Sequence, residues 1–328
     1  MTAQKQDKVV VIGGGSWGCA IAAALMQAGS QTHLLVRRQD TADALGKGVC
    51  RQLADSLALP SMDAGTDAGV LDDADIVFIV LPVSATAACL DQLAGSLSAS
   101  VPVVLCAKGL AATQDAGGLL MPELASRRLP DHINVVFSGP TFADEVAAGL
   151  PAAIAAASHN MAAANQVQAL FEGSALRVYT SDDPAGVAIG GAMKNVIAIA
   201  AGCATGLGLG DNACAAIITR GLAEMTRFAA ALGAQPGTVY GLSGAGDLAL
   251  SCAGPHSRNM AYGMALGQGR TPDAVLAEGR HTVAALADRA RSIGIELPIT
   301  DSVDKVVNHG HNLQQVVDTL LARRAGNE

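Results

Sequence analysis

Aromatic residues are scarce in this sequence, which has one Trp, three Tyr and five Phe among 328 residues. Half of the residues are nevertheless hydrophobic, so Ala, Val, Leu and Ile must supply most of the packing. A chain of this length can bury the cores of two domains. The composition therefore predicts a two-domain protein with aliphatic cores.

Basic residues are also few: 21 Lys and Arg stand against 29 Asp and Glu, which gives a net charge of −8. Nucleic-acid binding draws its affinity from many contacts of lysine and arginine with phosphates. The charge balance therefore argues against nucleic acid as the main partner. A small anionic substrate remains possible, because it needs only a local cluster of donors.

Paired cysteines are absent, since the seven cysteines are odd in number and form no CxxC pair. This pattern is neither a disulfide framework nor a zinc site, and we expect no metal. A reduced, cytoplasmic chain is the simplest interpretation. The cysteines are Cys19, Cys50, Cys89, Cys106, Cys203, Cys214 and Cys252.

The one early apolar run of membrane-spanning length, residues 9–28, is interrupted by four glycines. A signal peptide or a membrane helix would carry these glycines in its middle. A strand, a glycine turn and a helix explain the run better. We therefore expect no stable membrane insertion.

Apolar runs of strand length alternate with helical stretches through the first half of the chain. Their continuous Val, Ile and Leu content is typical of parallel strands that are covered on both faces. The alternation predicts an α/β fold with a doubly wound, mainly parallel sheet. The expected strands are 8–13, 31–37, 74–82, 101–109, 133–140, 152–157 and 176–180, and the main helices are 16–28, 84–98 and 117–127.

The second half is rich in Ala and Leu, and no convincing strand remains in it. We therefore expect one domain over residues 1–188 and an all-helical domain over residues 189–328. The expected helices of this half are 184–206, 211–233, 257–268, 281–293 and 301–324.

Gly13, Gly15 and Gly18 have GxGxxG spacing directly after a strand and at the start of a helix. The first glycine permits a tight turn, the second lets a pyrophosphate approach the backbone, and the third lets helix and strand pack closely. The helix N-terminus favours the anion. The motif predicts a Rossmann-type dinucleotide-binding domain, and the alternative is a plain glycine-rich turn.

Arg37 and Arg38 follow the second strand, where an NAD-specific site usually has Asp or Glu. Two guanidinium groups suit a 2′-phosphate, so NADP(H) is favoured as the cofactor. Asp40 is near enough to keep NAD(H) possible. Solvated surface arginines are the alternative.

Lys108, Gly139 and Thr141 lie at the carboxyl ends of predicted strands, where open α/β sheets bind ligands. We expect Gly139 to leave the backbone open to a ligand and Thr141 to offer a hydroxyl group. Alternatively, Thr141 is only the N-cap of a helix.

Lys194 lies in an otherwise apolar helical stretch, "IGGAMKNVIAIAAG". A lysine is almost never fully buried unless it is paired. Because burial disfavours an ammonium group, a buried lysine can act as a general base near neutral pH. The alternative is a side chain that extends to the surface.

Two later motifs offer partners for a phosphate or an oxyanion. "LSGAGDLALSC" places Asp247 at a helix start, and "GPHSRN" places Ser257, Arg258 and Asn259 at another. A hydroxyl, a guanidinium, an amide and backbone N–H groups together suit a phosphate. The alternatives are that Asp247 is a cap and that residues 257–259 begin a capped surface helix.

With these motifs in order, the chain resembles the bacterial NAD(P)-dependent glycerol-3-phosphate dehydrogenases over nearly its whole length. "GGGSWG", "AKGL", "SGPTFADEVAAGLP", "GGAMKNVIAIAAG", "SGAGDL" and "HSRN" carry the resemblance. It implies reversible hydride transfer between NAD(P)H and dihydroxyacetone phosphate, which gives sn-glycerol 3-phosphate for phospholipid synthesis. The implied partner is a small molecule.

The resemblance also implies site residues. Lys194 would be the proton acceptor, and Lys108 would contact both cofactor and substrate. The implied cofactor contacts are Gly13, Gly15, Ser16, Trp17, Gly18, Arg37, Arg38, Lys108, Ala143, Arg258 and Glu278. The implied substrate contacts are Lys108, Gly139, Thr141, Lys194, Asp247, Ser257, Arg258 and Asn259.

Three positions depart from the family pattern: Gly14 replaces a common alanine, Cys19 a common threonine, and Ala284 a common lysine.

The apolar helices of the second half favour a homodimer. Two rival functions remain, a related dehydrogenase that does not need the HSRN motif and an NADP-sensing protein that does not need Lys194.

Overall fold

The computed structural model describes residues 7–54, 57–113, 118–254, 256–272 and 277–322. The chain divides into two compact units. The first comprises Met1–Lys108 and Met121–Val187, and the second comprises Gly109–Leu120 and Ala188–Glu328. The segment 109–120, which we expected in the first domain, thus belongs to the second unit.

Ten strands lie in the described part of the chain. They are β1 (Lys8–Ile12), β2 (Gln31–Leu35), β3 (Asp63–Gly65), β4 (Ile76–Ile79), β5 (Val103–Leu105), β6 (Leu110–Ala111), β7 (Leu119–Leu120), β8 (Asn134–Ser138), β9 (Ala152–Ala157) and β10 (Leu176–Ser181).

Eight of these strands form one sheet in the first unit, in the order β10–β9–β8–β5–β4–β1–β2–β3. Every neighbouring pair is parallel except β8 and β9. The predicted doubly wound, mainly parallel sheet is therefore confirmed. β3 was not predicted, because its three residues, DAG, carry no hydrophobic run.

The described helices are α1 (Ser16–Gln27), α2 (Gln39–Leu45), α3 (Val83–Leu93), α4 (Met121–Arg128), α5 (Ala143–Ala147), α6 (Met161–Ala169), α7 (Pro184–Gly206), α8 (Asp211–Ala231), α9 (Asp247–Cys252), α10 (Arg258–Gly267), α11 (Glu278–Ser292), α12 (Pro298–His309) and α13 (Leu313–Leu321).

The core of the first unit combines aliphatic residues with a cluster of three phenylalanines. Phe78, Phe137 and Phe171 lie with ring centroids 5.5–6.1 Å apart. Phe78 lies on β4 and Phe137 lies on β8, and both side chains are fully buried. Three of the nine aromatic residues are thus gathered in this core, while Val, Ala and Ile fill much of the rest.

Helices and short helical turns make up most of the second unit. The expected single helix over residues 301–324 is wrong, because α12 ends at Gly310, whose φ of 67° is left-handed. A short π-helical turn at Leu242–Gly246 leads directly into α9. α7 is long and apolar enough to cross a membrane by composition, but 89% of that stretch is buried inside the protein.

Candidate active site

Two glycines of the β1–α1 loop are required by close packing. Gly13 has a φ of 122°, and a Cβ atom there would lie 2.3 Å from the carbonyl oxygen of Val80. A Cβ atom on Gly18 would lie 1.9 Å from the carbonyl oxygen of Gly13. The first and third glycines of the motif therefore shape the turn and bring helix and strand together, as the spacing predicted.

Gly15 differs from both, since a Cβ atom on it would meet nothing within 4 Å. It is the N-cap of α1, and no side chain among the described residues caps that helix. The indole Nε1 of Trp17 is buried without a hydrogen-bond partner among the described residues. Open space, an uncapped helix N-terminus and an available donor are what a bound pyrophosphate requires. These residues fit a dinucleotide.

The arginines after β2 lie on the surface of the same unit, and one of them is already paired. Nε of Arg38 lies 2.9 Å from Oδ1 of Asp40, and Nη2 lies 2.6 Å from Oδ2. Nη1 of Arg51 lies 3.8 Å from the same carboxylate. The hydrogen bond from Arg38 holds the pKa of Asp40 below its usual range. A carboxylate therefore lies within the cationic cluster, while Arg37 is exposed.

Lys108, Gly139 and Thr141 form a small polar cluster after β5 and β8. Nζ of Lys108 donates to the carbonyl oxygen of Gly139 at 2.9 Å, and Oγ1 of Thr141 donates to the same oxygen at 3.3 Å. Thr141 is not an N-cap, because Phe142 holds that position for α5. Ala143 is the first residue of α5.

Gly139 does not have the open surroundings that we expected at the end of its strand. This residue is buried, and a Cβ atom on it would lie 2.8 Å from Cα of Ile154 in β9. The glycine is thus explained by the close approach of the neighbouring strand and not by an opening for a ligand.

Parallel pairing brings the motifs of the first unit to one edge of the sheet. β1, β2, β5 and β8 run in the same direction, so the residues that follow them share the carboxyl edge. The glycine loop, the arginines, Lys108 and Thr141 therefore lie along that edge. Arg258 and Glu278, which we also predicted as cofactor contacts, belong to the second unit.

Lys194 on α7 is buried together with a carboxylate. Its side chain is 12% exposed, and its Nζ lies 3.1 Å from Oδ1 of Asp247 and 2.9 Å from Oγ of Ser251. The alternative of a side chain that extends to the surface is therefore wrong. Asp247 is not a cap either, because Gly246 is the N-cap of α9 and Asp247 is only 1% exposed. The ion pair and the hydroxyl offset the cost of burying the ammonium group.

A glycine on α7 explains how this pair is assembled. A Cβ atom on Gly190 of α7 would lie 2.8 Å from the backbone of Ser243 and Gly244 in the π-helical turn. α7 and that turn therefore touch through their backbones, one helical turn before Lys194. Asp247 and Ser251 are four residues apart on α9, so both side chains lie on the same helix face.

A second network surrounds the neighbouring residue, Asn195. Nδ2 of Asn259 donates to Oδ1 of Asn195 at 2.8 Å, and Oδ1 of Asn259 accepts from the backbone N–H of Gly279 at 3.0 Å. These bonds fix the orientation of a side chain that is only 8% exposed. Asn259 is thereby held beside the helix that carries Lys194.

The other residues of the HSRN motif have different surroundings. Ser257 caps α10 and accepts from the backbone N–H of Met260 at 3.4 Å, as the alternative for this motif expected. Arg258 is exposed at the first position of α10. Glu278 is likewise exposed at the start of α11, next to Gly279.

The sequence patterns did not single out Ser251, which contacts Lys194, or Asn195, which contacts Asn259. The signal for Ser251 was present, because a residue four positions after Asp247 in a helix lies on the same face. Asn195 carried no such signal, since its partner is 64 residues away.

The two sites together define a class of protein. The described residues hold no group of three His, Cys, Asp or Glu side chains that could bind a metal ion. They do hold a glycine loop fitted to a dinucleotide on a parallel sheet, and a buried lysine whose ammonium is compensated. These features are those of a dinucleotide-dependent dehydrogenase.

Comparison with known proteins identifies the family. Residues 8–164 match the family described as NAD-dependent glycerol-3-phosphate dehydrogenase N-terminus, and residues 183–318 match the corresponding C-terminus. The chain is 42% identical over 319 residues to a glycerol-3-phosphate dehydrogenase (NAD(P)+) of Mesorhizobium japonicum, covering 96% of this chain and 92% of that protein. The chain belongs to the NAD-dependent glycerol-3-phosphate dehydrogenase family.

Two solved structures have the same fold. Glycerol-3-phosphate dehydrogenase from Coxiella burnetii is 33% identical, with a TM-score of 0.90 over 97% of this chain and 99% of that chain. Glycerol-3-phosphate dehydrogenase from Saccharomyces cerevisiae is 24% identical, with a TM-score of 0.81 over 96% and 99% of the two chains. The second likeness shows the fold alone.

Proposed function

We propose that the protein catalyses reversible hydride transfer between NAD(P)H and dihydroxyacetone phosphate, which yields sn-glycerol 3-phosphate. Membership of the family supports the reaction. The observation that carries it is the buried pair of Lys194 and Asp247, with Nζ 3.1 Å from Oδ1. A lysine held in this way has a fixed position and a compensated charge, which a proton-transfer group requires.

The roles of the residues follow from their surroundings. When bound, the dinucleotide supplies the hydride or accepts it. Lys194 exchanges a proton with the substrate oxygen at C2, and its ammonium stabilises the alkoxide that forms in the reductive direction. Asp247 and Ser251 position Nζ of Lys194 at 3.1 Å and 2.9 Å. Lys108, anchored on the carbonyl oxygen of Gly139, contacts cofactor and substrate.

The substrate phosphate is proposed to bind at the start of α10. Arg258 is exposed there and supplies a guanidinium group, and the helix N-terminus adds backbone donors. Asn259 presents its amide from a fixed orientation. Hydrogen bonds to charged groups contribute about 1.5–3 kcal/mol each, enough to select a phosphorylated substrate. Thr141 and Ser257 are proposed as further contacts, and the carbonyl oxygen of Gly139 holds Lys108 in place.

We propose that NADP(H) is preferred and that NAD(H) is also used. Arg37 and Arg38 favour a 2′-phosphate by charge. Asp40 opposes that preference, because its carboxylate occupies Nε and Nη2 of Arg38. Ser16, Trp17, Ala143, Arg258 and Glu278 are proposed to complete the cofactor contacts.

The wider setting is also a proposal. The scattered, unpaired cysteines and the burial of α7 support a cytoplasmic enzyme. The product would enter phospholipid synthesis. A homodimer is proposed from the apolar character of the second half, and light scattering of the purified protein would measure its mass.

The test compares dihydroxyacetone phosphate with dihydroxyacetone, which lacks only the phosphate. NADPH and NADH oxidation would be measured with each substrate. We expect turnover with the phosphorylated substrate and a loss of roughly a hundredfold or more in kcat/KM without the phosphate. With the cofactor at saturating concentration, Arg258→Ala should lower kcat/KM for the phosphorylated substrate and leave the residual rate with dihydroxyacetone almost unchanged.

The rivals predict other results. Equal rates with both substrates, or turnover only with an unphosphorylated hydroxy acid, would indicate a different dehydrogenase. Tight NADPH binding without turnover of any of these substrates would indicate a sensing protein.

A further inference from the structure

A backbone contact lies four residues before each member of the Lys194–Asp247 pair. Gly190 on α7 is buried, and a Cβ atom on it would lie 2.8 Å from the carbonyl group of Ser243 and from the backbone nitrogen of Gly244. Gly190 and Lys194 share one face of α7, because residues four apart in a helix are neighbours. Ser243 precedes Asp247 by the same number of residues. The contact and the ion pair therefore join α7 to the same segment of the second unit.

The segment Leu242–Gly246, which carries this contact, is a π-helical turn. The backbone N–H of Gly246 donates to the carbonyl oxygen of Gly241 at 3.1 Å, and this bond spans five residues, as in a π-helix. Turns of this kind are rare and occur frequently at functional sites. Asp247 follows the turn directly and is the first residue of α9. The position of the turn therefore determines the position of Asp247.

The same turn also packs against the 3₁₀ helix that precedes it, Pro236–Tyr240. A Cβ atom on Gly244 would lie 1.9 Å from the carbonyl oxygen of Val239, which is a fully buried residue of that helix. The turn thus contacts α7 and the 3₁₀ helix, and backbone atoms form both contacts. Because backbone atoms cannot move aside as the end of a long side chain can, an added methyl group must displace the turn or α7.

We propose that Gly190 and Gly244 are positioning residues for proton transfer, because their backbone contacts set the distance between Lys194 and Asp247. The inference rests on the proposed function, in which Lys194 exchanges a proton with the substrate. It adds that these two glycines control the rate of that step and do not serve only the packing of α7.

A small displacement is enough to disturb the ion pair. An alanine at position 190 would need its Cβ contacts to lengthen from 2.8 Å to at least 3.4 Å, a shift of about half an ångström. Nζ of Lys194 lies 3.1 Å from Oδ1 of Asp247, so the same shift moves this contact beyond hydrogen-bond range. Since a misplacement of about 1 Å can cost about a hundredfold in rate, we expect a loss of about tenfold.

The test uses Gly190→Ala and measures the chemical step separately from binding. Oxidation of NADPH by dihydroxyacetone phosphate would be followed in single-turnover experiments, which separate chemistry from product release. NADPH binding would be followed by the fluorescence of Trp17, the only tryptophan of the chain. We expect the single-turnover rate to fall about tenfold. The dissociation constant for NADPH and the KM for dihydroxyacetone phosphate should not change, a split that a general packing defect would not produce.

Gly206→Ala is the matched control on the same helix. A Cβ atom on Gly206 would lie 2.3 Å from the carbonyl oxygen of Met264 on α10, which is an even closer approach than the one at Gly190. Gly206 is twelve residues beyond Lys194, roughly 18 Å along the helix. Its substitution should lower the melting temperature at least as much as Gly190→Ala but leave the single-turnover rate unchanged.

A double variant tests whether Gly190 acts through Lys194. Lys194→Met removes the proton-transfer group, so nothing remains for Gly190 to position. Gly190→Ala should therefore lower the rate about tenfold in the wild type and leave the residual rate of Lys194→Met unchanged. Such non-additivity is expected for residues that act on one shared interaction.

Val239→Ala provides a second variant that adds no atom to the interface. It shortens the buried side chain that anchors the 3₁₀ helix behind the turn. We expect it to lower the single-turnover rate in the same direction as Gly190→Ala, again without a change in NADPH binding. If Gly190→Ala does not fold, this variant decides the question, and an unchanged rate overturns the proposal.

The proposal is also wrong if folded Gly190→Ala reacts at the wild-type rate, or if Gly206→Ala loses the rate to the same extent. An equal decrease from Gly190→Ala in the wild type and in Lys194→Met would likewise overturn it. Wild-type protein that does not oxidise NADPH with dihydroxyacetone phosphate would instead contradict the proposed function itself. That result appears before any variant is compared, so the two failures are distinguishable.

Discussion

The first unit has open space around Gly15, whereas the second unit surrounds Lys194 with polar side chains. A side chain on Gly15 would meet nothing within 4 Å, and no side chain caps the helix that follows. Lys194, in contrast, already has a carboxylate and a hydroxyl within 3.1 Å. The first site is prepared for a large anion by omitting side chains. The second site supplies the carboxylate and the hydroxyl group that stabilise a buried ammonium group, which suits the transfer of one proton.

This difference predicts which property of the protein a substitution at each site should change. Changes at the open site should affect ligand binding and leave folding intact, because nothing in the protein packs there. Changes at the filled site should affect catalysis and stability separately, according to which member of the ion pair is removed.

The largest effect is expected for Lys194→Met, which removes the proton-transfer group but keeps most of the side-chain volume. The rate constant kcat with dihydroxyacetone phosphate should fall about 10²–10⁴-fold. NADPH binding, followed by Trp17 fluorescence, should be unchanged. Lys305→Met, at an exposed lysine of α12, is the matched control and should keep full activity. Comparable activity in the Lys194 and Lys305 variants would rule out the assigned role.

Asp247→Asn should have the next largest effect, on stability. It removes the carboxylate that lies 3.1 Å from the buried ammonium of Lys194. Breaking a buried ion pair typically costs about 3–5 kcal/mol in the free energy of unfolding. Chemical denaturation would measure the loss. The double variant Lys194→Met/Asp247→Asn should recover much of it, because no unpaired charge remains.

Asp304→Asn serves as the control for that prediction. Asp304 is also buried, at 3% exposure, but its partners are Asn308 and the largely exposed His309. Its substitution leaves no buried cation behind and should cost less than Asp247→Asn. An equal cost for the two variants would mean that the carboxylate of Asp247 matters for reasons other than Lys194.

Gly18→Ala and Gly15→Ala test the comparison within one loop. The first adds a methyl group 1.9 Å from the carbonyl oxygen of Gly13 and should destabilise by about 1–3 kcal/mol or more. The second meets no atom of the protein and has an ordinary φ of −79°, so the melting temperature should not fall. Its dissociation constant for NADPH should nevertheless rise about tenfold, or roughly 1.4 kcal/mol. A destabilised Gly15→Ala would show that the loop is not open.

The smallest effect is expected for Asp40→Asn, at a solvent-exposed ion pair. Removing the carboxylate frees Nε and Nη2 of Arg38 for a 2′-phosphate. Because exposed ion pairs contribute little, the ratio of kcat/KM for NADPH over NADH should rise by at most about fivefold. The increase should diminish at high salt. Asp43→Asn on the same helix, whose carboxylate accepts from Gln39, should leave the ratio unchanged.

Much of the first unit followed from local patterns. The runs of Val, Ile and Leu predicted seven of the eight strands in its sheet, and the GxGxxG spacing predicted the turn between β1 and α1. The eighth strand, β3, has three residues without a hydrophobic run and forms only because β2 lies beside it. Local patterns also failed at Gly310, where a single left-handed residue divides one expected helix into α12 and α13.

Local patterns in the sequence specify the order of the elements and the shape of the glycine loop, and they predict the burial of the stretch around Lys194. These depend on side-chain periodicity and on steric limits within a few residues. Tertiary packing sets which groups meet: Ser251 lies 57 residues from Lys194, and the close approach of β9 explains Gly139. The pairing of Asp247 with Lys194 is of the same kind. Such contacts depend on how separate elements pack. The periodicity of side chains along the chain does not predict which residues that are distant in sequence lie close together in the fold.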